Sequence, residues 1–122
     1  TPERKTSQAR KFTFGRRPTL DVEATPMGTY QAIVYRAIGE QWYRQCDLNR
    51  DLIVTGTVRI RILINKNGKV SSMRQTSRVG ASEVQKSFTF LAIKLARLPA
   101  MPPEVRSMLV GDSLEMYFDF NF

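Results

Sequence analysis

Gly56-Thr57-Val58-Arg59-Ile60-Arg61-Ile62-Leu63-Ile64 runs straight into Asn65-Lys66-Asn67-Gly68. Val58, Ile60, Ile62 and Ile64 alternate with Thr57, Arg59, Arg61 and Leu63. A strand projects successive side chains to opposite faces, so one face here is aliphatic and the other mostly polar. Gly68 can take the positive φ that closes a hairpin. The return strand, about Lys69 to Ser77, is more polar. Val70 and Met73 fall on opposite faces of a regular strand, which predicts a bulge or an early end.

Downstream, Ser82-Glu83-Val84-Gln85 is a capping box that opens a helix. Val84, Phe88, Leu91, Ala92 and Leu95 form its expected buried stripe, and Pro99 ends it by removing a backbone donor. Pro102-Pro103-Glu104 begins a second short helix through about Leu109. Gly111-Asp112 then turns the chain into Leu114-Glu115-Met116-Tyr117-Phe118-Asp119-Phe120. In that last strand Leu114, Met116, Phe118 and Phe120 face inward, and Glu115, Tyr117 and Asp119 outward.

Upstream, Tyr30, Ile33, Val34, Ala37, Ile38 and Trp42 recur at helical spacing, with Thr29 as the expected N-cap and an end near Cys46. Arg36, Glu40, Gln41 and Arg44 fall on its outer side. Trp42 reads as core, and Tyr43 is left open. Residues 1–28 are polar and basic, carry Pro2, Pro18 and Pro26, and read as a flexible basic linker or tail. Phe12 and Phe14 alternate within it, a weak signal for docking. The domain is therefore placed at residues 29–122. Its order is helix, strand, strand, helix, short helix, strand. The expected fold class is α+β, a three-stranded antiparallel sheet with helices packed on one face.

Composition narrows the chemistry. The 122 residues include no histidine and one cysteine, Cys46. That excludes His-dependent triads, His-ligated zinc and an internal disulfide. No Gly-rich phosphate loop, nucleophile elbow or paired-carboxylate pattern is present, so the chain reads as no enzyme, with no cofactor, no metal and no small-molecule substrate. Cys46 reads as a small buried residue rather than a reactive thiol. No apolar run approaches the roughly 18 to 20 residues of a transmembrane helix. The chain opens on Thr1-Pro2 without an initiator Met, and it is expected to be a trimmed part of a longer protein. Its net charge of +8 is spread along the sequence, with +3 through residue 28 and +5 beyond. Such a field favours anionic partners.

These residues together resemble the C-terminal periplasmic domain of the TolA and TonB family, over about residues 29–122. The resemblance rests on the opening aromatic-bearing helix, on Gly56-x-Val58-x-Ile60-x-Ile62 leading to Asn67-Gly68-x-Val70, on the exit Leu98-Pro99-x-x-Pro102-Pro103, and on the Phe-rich final strand. It is closer to TolA than to TonB, although many TolA domains carry a cysteine pair and this chain has Cys46 alone. The resemblance implies an inner-membrane anchor and a periplasmic spacer ahead of this domain. It implies proton-driven motor proteins as inner-membrane partners, and an outer-membrane or periplasmic protein as the partner that supplies an extended strand. The candidate site is Leu114, Glu115, Met116, Tyr117, Phe118, Asp119 and Phe120, taken as a free sheet edge. Arg59 and Arg61 share one face and are candidate secondary contacts. On this reading a proline at Tyr117 or Phe118 abolishes partner binding and spares the helices. The rival is a basic nucleic-acid-binding module, supported by the charge and by arginines beside aromatics but lacking a clustered basic helix.

Overall fold

The computed structural model describes residues 13–16 and 25–122. The linker expected at residues 1–28 lies outside the described residues for 1–12 and 17–24. Residues 13–16 are instead a strand, β1 (Thr13–Arg16), and residues 26–28 already belong to helix α1 (Pro26–Leu48). A 3₁₀ turn, Arg50–Leu52, leads to β2 (Thr57–Asn65), β3 (Val70–Val79), α2 (Glu83–Leu95), α3 (Pro103–Arg106) and β4 (Ser113–Asn121).

The expected three-stranded antiparallel sheet is present as β4-β2-β3, with helices against one face. The short β1 extends it beyond β4, giving the order β1-β4-β2-β3. Val58, Ile60, Ile62 and Ile64 of β2 and Met116, Phe118 and Phe120 of β4 form one continuous buried layer. Tyr30, Val34, Ile38 and Trp42 of α1 cover it.

Local chemistry explains the boundaries. Helix α1 starts four residues earlier than expected. Thr25 caps it by accepting from Gly28 N–H at 3.0 Å, and Pro26 occupies the first helical turn, where its missing donor is no loss. The bulge foreseen in β3 occurs twice. Ser71 has no partner between the pairs Leu63↔Ser72 and Ile64↔Val70, and Thr76 has none between Arg59↔Ser77 and Ile60↔Gln75. The hydroxyls of both extra residues donate back to β2, Ser71 to the Leu63 carbonyl and Thr76 to that of Arg59. The first bulge puts Val70 and Met73 on the same side, facing Ile64 and Ile62.

At the β2–β3 turn, Gly68 has φ +86°. A Cβ there would also lie 2.4 Å from the Pro99 carbonyl oxygen. The Leu98–Pro102 exit straps over this turn, with Met101 N–H donating to the Lys66 carbonyl at 3.0 Å and Tyr30 Oη donating to that of Pro99 at 2.7 Å. Burial beside this strap pushes the Tyr30 phenol above its ordinary range.

The stripe of α2 is rotated from the expected one. Gln85, Phe88, Thr89, Ala92 and Ile93 are buried, whereas Val84, Leu91 and Leu95 are exposed. Two polar residues take interior positions because both find partners. Gln85 accepts from Ser82 N–H and Val54 N–H and donates to the Val54 carbonyl, and Thr89 accepts from Trp42 Nε1–H at 3.0 Å. A satisfied polar group escapes the burial penalty that would otherwise turn it outward.

Candidate peptide-binding edge

The candidate strand is not the free edge it was taken to be. Over its whole length β4 pairs with β2, from Asn65↔Ser113 to Thr57↔Asn121. On its outer flank β1 pairs antiparallel with it, from Arg16↔Phe118 to Thr13↔Asn121. Phe118 and Phe120 therefore lie between two strands of their own chain. Among the described residues no strand lies beside Leu114, Glu115 and Met116 on this flank. A proline at Tyr117 or Phe118 is accordingly no selective lesion, because it breaks the pairing that closes the sheet.

The outer face of β4 is also already engaged. Asp119 accepts from Arg59 Nε–H at 2.7 Å, and Glu115 accepts from Arg61 Nε–H. Asp119 is the register partner of Arg59, and Glu115 reaches Arg61 diagonally. The Glu115 carboxylate, with Tyr117 beside it, raises the Arg61 guanidinium further. The two arginines expected to meet a partner thus hold the strand's own carboxylates.

What the structure adds is a slot on the flank of β4, filled by Phe14. Phe14 faces Phe120 in the ladder, so their rings fall on the same side, with centroids 4.9 Å apart. Its ring also stacks on Phe118 at 5.4 Å and 15°, and lies 4.6 Å from Tyr35 and 6.2 Å from Trp42. Helix α1 forms the other wall. The Phe14 N–H donates to Tyr43 Oη at 3.2 Å, and the Phe14 carbonyl accepts from Tyr35 Oη at 2.6 Å. A central residue of an extended segment is therefore held by its backbone through two tyrosines and by its ring through four aromatics.

Gly39 completes the slot. A Cβ at that position would sit 2.9 Å from Phe14 Cδ2. Glycine inside a helix costs about 1 kcal/mol relative to alanine. Here it gives the phenylalanine ring room beside the helix. Tyr35, Gly39 and Tyr43 were not singled out in the sequence as parts of a site. The mid-helix glycine and the Phe12–Phe14 alternation were the available signals.

Cys46 is fully buried, and burial first, with Asp47 adding to it, pushes its thiol up to about 12. The folded state holds this proton more tightly than the unfolded chain does, whose thiol titrates near its ordinary value. The stabilisation is complete below the ordinary thiol range and is lost as pH rises towards about 12. Urea midpoints measured from pH 8 to 11 should fall less steeply above about pH 9 in Cys46→Ala than in the parent chain. The folded parent should resist thiol reagents at pH 8, and rapid labelling without unfolding would contradict this burial.

No described helix is long and apolar enough to cross a membrane. The chain matches no model of a known protein family, and no curated protein shows significant similarity to it.

Proposed function

We propose that this is a non-enzymatic protein-binding domain that takes an extended segment of a partner along the outer flank of β4. Its setting would be the periplasmic end of a cell-envelope energy transducer of the TolA and TonB kind, anchored in the inner membrane through a preceding segment. The observation that carries this reading is the seating of residues 13–16 on β4 as an added antiparallel strand. That flank accepts an extended backbone, and the element order agrees with the family resemblance. The far edge, β3, is less suited to the task. It is bulged twice and bears Lys69 beside its start and Arg74 and Arg78 along it, devices that discourage strand pairing.

Added backbone hydrogen bonds contribute only about 0.5 to 1.5 kcal/mol each, and association costs offset much of that. Such binding is weak to moderate, as suits a coupler that must release its partner. The nucleic-acid reading keeps the net charge of +8 but loses Arg59 and Arg61 as free contacts, since they are paired with Asp119 and Glu115.

A photo-crosslinking residue at Glu115 of the full-length protein, in the cells that make it, should link to one envelope protein through a single short stretch. The same residue at Val110, which projects into solvent, should not. Equal and scattered adducts from both positions would remove this reading. So would tight DNA or RNA binding that weakens steeply with salt.

A further inference from the structure

We propose that residues 13–16 are a displaceable plug, and that the slot they fill recognises an extended segment from another protein carrying an aromatic side chain at the Phe14 position. This deepens the reading above and rests on it. Three features make the slot specific for an aromatic residue in an extended backbone. Gly39 leaves space that a Cβ would take from the ring. Tyr35, Phe118 and Phe120 line that space with ring faces 4.6 to 5.4 Å from Phe14. Tyr35 and Tyr43 bind the Phe14 carbonyl and N–H, groups that every non-proline residue presents. Nothing in this arrangement requires that the aromatic residue belong to the same chain.

Two further features make the resident segment displaceable. It covers only Phe118–Asn121 of β4, whereas β2 on the other side pairs along all of Ser113–Asn121. Among the described residues no strand pairs with Leu114–Met116 on this flank, so an incoming strand that also ran along them would gain ladder bonds that β1 does not make. The core beneath has contacts of its own, because Phe120 packs on Trp42 at 5.2 Å and on Phe118 at 6.4 Å and β4 is paired along its length with β2. A partner thus competes with a self-segment, and its apparent affinity is the intrinsic affinity multiplied by the fraction of time the slot stands open.

The test uses the whole 122-residue chain and a synthetic peptide of sequence Lys-Phe-Thr-Phe-Gly-Arg-Arg-Pro, residues 11–18. Binding is read from Trp42, the only tryptophan, whose indole lies 6.2 Å from the Phe14 ring. The Phe14→Ala chain should bind this peptide at least about ten-fold more tightly than the parent chain. A peptide carrying alanine at the Phe14 position should bind neither. Adding Gly39→Leu to Phe14→Ala should abolish binding while the melt stays cooperative. Equal affinity for parent and Phe14→Ala, or indifference to the peptide's ring, overturns the proposal.

Should Phe14→Ala fail to fold, Gly15→Pro removes a backbone donor from the arm without touching the aromatic layer, and the same outcomes apply. If both variants unfold, the arm is a structural strand and the plug idea fails. It fails too if the parent chain is a dimer in which the arm of a second copy fills the slot. Peptide binding as expected, with no envelope partner crosslinked from Glu115, would keep the slot and remove the transducer reading.

Discussion

Replacing Gly56 by alanine is expected to destabilise the domain by about 3 kcal/mol or more and to lower its melting temperature by at least about 10 °C. The reason is steric, and the obstacles are all backbone. An added Cβ would lie 2.2 Å from Ala81 N, 2.6 Å from the Gly80 carbonyl carbon and 2.7 Å from the Val79 carbonyl oxygen. A flexible side chain could swing away, but these atoms belong to the turn that joins β3 to the capping box of α2. Retreat in the other direction is closed as well. Gly56 exchanges two hydrogen bonds with Phe122, donating at 3.3 Å and accepting at 2.7 Å, and Phe122 is itself buried. The substitution must therefore part the end of β4 from β2 or push the start of α2 off the sheet. Thermal melts of Gly56→Ala beside Thr55→Ala, an exposed neighbour, would decide the matter. A melting temperature within a few degrees of the control would show that the crowding is relieved more cheaply than the geometry allows. Because Gly56 secures the end of β4 that carries Phe120, loosening it should also weaken the slot for Phe14.

That Gly56 marked the start of a decisive strand was legible in the sequence, but what it touched was not. Alternation in β2 and β4 could be read because one-sided burial leaves a local, period-two signature. The capping box at Ser82 was equally local. Its further role was hidden, since Gln85 also ties down Val54 through a pairing that no local rule foresees. The same limit explains the exposed Val84, Leu91 and Leu95. A hydrophobicity pattern cannot know that Gln85 and Thr89 will find partners and so be admitted to the interior. Thr25 lost to Thr29 as the expected cap although Pro26 was the better sign of a first helical turn. The candidate site suffered most, because its parts come from opposite ends of the chain. Phe14 meets Phe120, and Arg59 meets Asp119, only once the strand order is fixed. Gly39 carried a trace of this in the sequence. An interior helix glycine needs a neighbour that comes close, though it does not say which one.

Trp42→Ala is the second large effect, expected to destabilise the fold by roughly 3 to 5 kcal/mol, a major share of the 5 to 15 kcal/mol typical of a small domain. Its indole is fully buried and lies 5.2 Å from the Phe120 ring, 5.1 Å from Phe122 and 5.3 Å from Tyr43. It joins α1 to the C-terminal strand at the back of the slot. The indole N–H also reaches α2, donating to Thr89 Oγ1 at 3.0 Å. Packing and hydrogen bonding can be separated there. Trp42→Phe keeps much of the apolar contact but takes the donor from a buried hydroxyl, at a cost of about 1 to 3 kcal/mol in addition to the lost ring volume. Thr89→Val in the same chain removes that hydroxyl, so the double variant should be more stable than Trp42→Phe alone. Urea unfolding of the two single variants and the pair gives the coupling directly. A double variant less stable than Trp42→Phe by the full cost of Thr89→Val would mean that the two sites act independently. The 3.0 Å contact would then have no energetic role in holding the helices together.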